Sequence, residues 1–350
     1  MKDCPTCRRT AVLLICCVLG MAAPVWAAET VGWLYDVRVP VADQSVEARK
    51  TAAGEGLKAV LTRISGRTRL GGNDVIARAA ASPQEYYNRF SYSSDWVDGA
   101  RQSFLELSFS AAAVQRLART AQLPIWSSRR PLVVTWIATE RDGDFVLATG
   151  EEDALYASAL EQAQVRGLPI EATEPLPPAH LVWNGSPEAV VMHAEGLGAR
   201  ALLLGRVRQG DDVARGNFTF RLLGDGDGTA EAQEFTFRGQ DEASVMAQAM
   251  NQVADTLSRR YSVAGGEAGF LNLNISGVRT VQDYAALMRY LQRLEYLTSV
   301  SVLAVDGDAV ELVVETPADA GRLAELFEAD RRIVPDDSAN VLAVPFLWRG

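Results

Sequence analysis

The sequence predicts a multidomain chain of mixed α+β and α/β type. Three observations carry that expectation. The length of 350 residues exceeds what one domain ordinarily fills. Strand-like apolar runs alternate with helical periodicities along the chain. Two breaks, Pro131 and the VAGGEAG stretch at 263–269, divide the pattern. The expected division is a signal peptide at 1–27 and three units: an α/β unit at 28–128, a middle α/β unit at 129–264 and an α+β unit at 265–350.

The first segment reads as a targeting sequence. Lys2, Arg8 and Arg9 give a positive start, and AVLLICCVLG at 11–20 carries no charge. A core of that length is too short to span a bilayer but suits a secretory signal. Val25-Trp26-Ala27 places small residues where signal peptidase tests them, so cleavage is expected before Ala28. Bulky Ile15 ahead of Cys16 argues against a lipoprotein signal. Cys4, Cys7, Cys16 and Cys17 are the chain's four cysteines, and all fall in the expected leader. The mature protein would then have no disulfide framework, thiolate metal site or cysteine nucleophile. The bacterial periplasm is the expected compartment.

In the first unit, WLYDVRV at 33–39 reads as a strand. Asp43 or Ser45 then caps a helix to about Ile64, with Leu57, Val60, Leu61 and Ile64 on one face. Ser82-Pro83 with Glu85 predicts a second helix start. A strand is expected at 101–109, followed by a helix opened by Ser110.

In the middle unit, LVVTWIA at 132–138 and ALLLGRV at 201–207 are apolar on both alternations, as strands covered on two faces are. Helices are expected at 151–166, 186–197 and 241–260. The last has Asp241 and Glu242 at its positive end and Arg259 and Arg260 at its negative end. NFTFRLL at 217–223 and EAQEFTFRG at 231–239 flank GDGDGT and predict a hairpin.

The last unit shows the order β-α-β-β-α-β, the split βαβ or ferredoxin-like plan. Its strands are LNLNISG at 271–277, SVSVLAV at 299–305, AVELVVE at 309–315, and RRIVP or NVLAVPFLW. Thr280 with Asp283 opens its first helix, through Leu294, and Thr316-Pro317 opens its second.

Chemistry is sparse in the sequence. The net charge of −10 argues against a protein built to coat nucleic acid. Only His180 and His193 are present, 13 residues apart, and HExxH, phosphate-loop, dinucleotide and G-x-S-x-G motifs are absent. The Asp225–Thr229 turn lacks the glycine and carboxylate that a calcium loop needs at its sixth and twelfth positions, here Ala230 and Thr236. No catalytic residue, metal or cofactor is therefore expected. Two contact patches stand out. Arg63, Arg67 and Arg69 surround a loop, and Tyr86, Tyr87, Tyr92 and Trp96 cluster near Asp95 and Asp98. The first suits an anionic lipid, a glycan phosphate or an acidic protein surface. The second suits a sugar ring or a partner surface, or forms a core edge.

The segments at 34–66 and 199–207, with the span from NISGVRTVQDYAALMRYLQRLEYLTSV onward, resemble the exported proteobacterial family catalogued as domain of unknown function 2066 (DUF2066). That resemblance implies export in a Gram-negative host and brings no active-site motif. The middle region also resembles small α/β domains of periplasmic and outer-membrane assembly factors. The expected role is a non-catalytic interaction or accessory protein in envelope assembly or maintenance. Its partner would be an envelope protein, with no nucleic acid bound and no transmembrane segment in the mature chain. The alternatives are glycan- or lipid-fragment binding and a carboxylate-dependent hydrolase.

Overall fold

The computed structural model describes residues 29–97, 99–185, 187–197, 199–223, 232–328, 332–336 and 344–350. The expected leader, the four cysteines, Asp98, Ser186 and the GDGDGT turn lie outside them. The fold is mixed α and β, with several separate sheets.

The first part of the chain comprises β1 (Glu29–Thr30), β2 (Asp36–Val41), α1 (Val46–Ser65), α2 (Asp74–Ala81), β3 (Tyr87–Val97), β4 (Ala100–Phe109) and α3 (Ala111–Thr120). Strands β2, β4 and β3 form an antiparallel sheet in that order, with β3 at one edge. Helix α1 starts where Ser45 Oγ accepts from Ala48 N at 3.2 Å. Its Leu57, Val60, Leu61 and Ile64 are buried with Leu105 and Leu107 of the sheet. Gly56 costs helix propensity but allows this approach. A Cβ there would lie 2.9 Å from Val37 Cγ2 and 3.3 Å from Leu107 Cδ1.

Two expectations change here. The strand expected at 33–39 begins only at Asp36, because Gly32–Tyr35 form a 3-10 turn. The Arg63 guanidinium reaches back to its carbonyls and so stabilises the turn. The helix expected after Ser82 is a single 3-10 turn, Pro83–Glu85, with no side-chain cap bond. The aromatic-rich alternation beyond it favours a strand, which becomes β3. The nearby helix is α2, whose cap is Asn73, accepting from Val75 N at 3.0 Å.

The middle part contains β5 (Ile125–Trp126), β6 (Arg129–Arg130), β7 (Val133–Arg141), β8 (Asp144–Ala148), α4 (Ala154–Arg166), β9 (Ile170–Glu171), α5 (Ala179–Trp183) and α6 (Pro187–Gly196). It continues with β10 (Ala201–Gln209), β11 (Ala214–Leu222), β12 (Gln233–Gly239) and α7 (Glu242–Tyr261). The main sheet runs β12-β11-β10-β7-β8, with β9 also on β7. β7 pairs in parallel with β10 and with β9. Val133 and Ile137 face a core shared with α4 and α7, whereas Val134 and Trp136 face one shared with α6. This two-sided burial accounts for the unbroken apolar runs of β7 and β10. Asp241 and Ser244 close a reciprocal capping box on α7.

The remaining elements are β13 (Ser262–Val263), β14 (Gly269–Ser276), α8 (Val281–Leu291), β15 (Ser299–Asp306), β16 (Ala309–Thr316), α9 (Ala320–Glu328), β17 (Ile333–Pro335) and β18 (Val344–Trp348). The sheet order is β15-β16-β14-β18-β17. β15 and β16 pair antiparallel through Asp306-Gly307-Asp308, with a bulge between Val302 and Ala304. Leu287, Leu291, Leu294, Leu323, Leu326 and Phe327 are buried in one core against this sheet. Both sequences weighed for the last strand form one. β17 pairs antiparallel with β18, which enters the sheet parallel to β14.

Candidate functional site

Short segments and buried charge join the three parts of the chain. β1 pairs with β6, and β5 pairs with β13. Arg130 sits at their meeting point with no exposed surface. Its guanidinium donates to the carbonyl of Gly167, to Arg63 O at 2.8 Å, to Ser127 O at 3.0 Å and to Trp126 O at 3.3 Å. It also lies 3.7 Å from the Trp126 ring centroid. Burial pulls its pKa down to about 9, opposed by the Glu295 carboxylate, and it stays cationic at neutral pH. Glu295, between α8 and β15, accepts from Ser127 Oγ at 2.6 Å, from Ser128 N at 3.1 Å and from the Ser128 hydroxyl. Tyr35, which accepts from Gln115 Nε2 at 2.9 Å, is pushed up to about 12 by burial.

Beside this junction lies a cleft of about 940 Å³, lined from all three parts of the chain. The first part contributes the loop after α1. Gly66 has a φ of 68° and donates its N–H to Thr62 O at 2.9 Å. The Gly66 carbonyl accepts from the buried Arg166 at 3.0 Å, and Arg166 is also paired with Asp255 at 2.6 Å. Arg67 N donates to Ser65 Oγ at 3.2 Å, which holds the next residue. The Arg67 and Arg69 side chains are exposed at the cleft and have no ion-pair or hydrogen-bond partner among the described residues. The middle part adds Arg259, and the last part adds Arg322. Arg322 is braced, donating to Ser262 O at 2.6 Å and Arg259 O at 2.9 Å and pairing with Glu325 at 2.8 Å.

The structure therefore divides the arginine patch read from sequence. Arg67 and Arg69 share the cleft. Arg63 belongs to the junction, where it donates to Asp36 O at 2.6 Å and burial lowers its pKa. Arg259 and Arg322 lie some 190 residues or more further on, so spacing alone could not pair them with Arg67 and Arg69.

The aromatic patch is likewise divided. Tyr86, Tyr87 and Tyr92 are half-buried against the first core. Tyr87 meets Phe109 edge-on at 6.1 Å, and Tyr92 meets Phe90 at 6.0 Å. Trp96 is 77% exposed, and Phe90 and Val97 on the same edge strand are also exposed. Phe90 is the member that spacing missed. Asp95 is ion-paired with Arg38. His180 lies on α5, and His193 Nε2 meets Pro175 O at 2.7 Å. Among the described residues no group of three or more His, Cys, Asp or Glu is placed to hold a metal. No helix among them is long and apolar enough to cross a membrane.

Residues 28–127 match a family described as a domain of unknown function, DUF8605. This overturns the resemblance to DUF2066, since the matching family is a different one. The segment at 34–66, that resemblance's most specific support, lies inside the matched span. A strand leading into a serine-capped amphipathic helix is too common a pattern to separate two families. No curated protein matches the chain. One solved structure, described as the crystal structure of an uncharacterized protein, is similar at 14% identity over 37% of this chain and 88% of that chain. Its TM-score of 0.16 is too low to assign a fold.

Proposed function

We propose that the mature chain is a non-catalytic accessory protein of the bacterial cell envelope that docks an extended segment of a partner protein. The observation carrying this reading is the free edge of β3. An 11-residue edge strand offers backbone pairing groups, and Phe90, Trp96 and Val97 stand exposed along it. Strand addition to such an edge gains main-chain hydrogen bonds, and contact with the exposed Phe90 and Trp96 side chains supplies selectivity. The apolar leader at 11–20 supports export to the periplasm. The mass of the periplasmic protein should then correspond to a chain starting at Ala28.

The three units at 28–128, 129–264 and 265–350 form the scaffold in this reading. We read the last as a variant of the ferredoxin-like plan in which two strands, β17 and β18, stand in place of a single last one. The reading is tested by photo-crosslinking in cells from positions 90 and 96. Both should capture the same partner, while position 78, exposed on α2, should not. Equal capture from all three positions, or none from 90 and 96, would defeat it. Trp96→Ser should abolish capture from position 90 without lowering the melting temperature, because Trp96 is largely in solvent.

A further inference from the structure

We infer that the cleft where the three parts of the chain meet binds a phosphate-bearing ligand. Four guanidiniums line it, from Arg67, Arg69, Arg259 and Arg322, against the carboxylates of Asp255 and Asp319 and that of Glu325, which is paired with Arg322. Asp255 is already paired with the buried Arg166, and Asp319 accepts from Arg322 N at 2.8 Å at the start of α9. The cleft is thus cationic in a chain whose net charge is −10. Unlike a solvated surface run, these arginines converge from three segments distant in sequence, and the loop carrying two of them is fixed. Gly66 is held by bonds to α1 and Arg166, and a Cβ there would lie 2.7 Å from Ser258 Oγ. Thr68 adds a hydroxyl that has no partner among the described residues.

Planar guanidinium forks arriving from several directions match the oxygens of a phosphate better than the two of a carboxylate. The cleft volume of about 940 Å³ exceeds the needs of one phosphate and suits a phosphorylated sugar or lipid headgroup. This site is independent of the β3 edge, so either reading can fail alone.

The test is calorimetric titration of the mature protein with inorganic pyrophosphate, together with flotation on phosphatidic acid and phosphatidylcholine vesicles. Pyrophosphate should bind, more weakly at high salt. Arg67→Gln/Arg69→Gln should weaken binding by about tenfold or more, the scale of losing a charge-assisted contact. Arg259→Gln should also weaken it. Arg78→Gln, on exposed α2 outside the cleft, should leave it unchanged. Circular dichroism should show all variants folded, since Arg67 and Arg69 hold no other part of the protein. Binding of both pyrophosphate and phosphatidic acid vesicles would identify a phosphate site open to soluble esters. Binding of the phosphatidic acid vesicles alone, lost in the double variant, would identify a lipid headgroup. Binding of neither, undiminished binding by the double variant, or an equal loss in Arg78→Gln would overturn the inference.

Discussion

Gly66→Ala is the most informative single change to the cleft. With φ at 68°, the backbone occupies the left-handed region, where an added Cβ costs about 1–2 kcal/mol. The new methyl would also press into Ser258 of α7, 2.7 Å from Oγ and inside contact with Cβ, and would lie 3.6 Å from Trp126 Cε3. Overpacking of that kind costs about 1–3 kcal/mol. The expected total is about 2–5 kcal/mol, measured by urea unfolding with tryptophan emission as the readout. Ser258→Gly removes the obstructing side chain. In the double variant it should recover about 1–3 kcal/mol, the overpacking share, leaving the backbone cost in place. The loop should also shift, weakening pyrophosphate binding although no arginine is changed. A loss for Gly66→Ala below about 1 kcal/mol, or no coupling to Ser258→Gly, would refute the account of a loop fixed by contact with α7.

Arg130→Met should destabilise the protein by about 3–5 kcal/mol in thermal or urea unfolding, because the buried carbonyls of Arg63, Trp126, Ser127 and Gly167 lose their donor and Glu295 its cation. Burial holds Tyr35 and Tyr156 near 12 against an ordinary value of 10, so both are neutral in the folded and unfolded chain below pH 10. Between pH 10 and about 12 the unfolded chain releases these protons first and stability should fall; Tyr35→Phe/Tyr156→Phe should flatten that fall in melts across the range. Leu291→Ala, fully buried beneath the last sheet, should cost about 2–5 kcal/mol, while Arg289→Ala should stay within about 0.5 kcal/mol in the same assay.

Local chemistry made much of this fold legible. Ser45, Ser110 and Thr280 were readable as caps, and each accepts a backbone N–H at its helix start; Asp241 was readable only as charge at the positive end of α7, where it also caps. The turn at Asp306-Gly307-Asp308 fixed a hairpin because glycine supplies the positive φ. Failures came where the same local signal serves two structures, or where distant residues decide. Ser82-Pro83 with Glu85 suits a helix start and a single turn equally, and the aromatic run after it selects the turn. Arg130 sits in Ser127-Ser128-Arg129-Arg130-Pro131, which reads as a polar loop, yet it is buried where segments distant in sequence meet. Half of the arginine cleft was visible in the patch of Arg63, Arg67 and Arg69, of which the last two line it. The other half was hidden because tertiary structure alone brings Arg259 and Arg322 to it.

The placement of β18 has a consequence for the order in which the protein can be completed. This strand follows β14 by some 70 residues and occupies an interior position, flanked by β14 and β17. Until Val344–Trp348 have left the ribosome, β14 lacks its parallel neighbour and β17 its antiparallel one. The sheet therefore closes only once residues 344–348 are in place, and a chain stalled or clipped before 344 keeps an open slot with Ile275 and Ile333 at its sides. In the exported accessory protein proposed above, such a delay would keep the chain threadable until it has crossed the membrane.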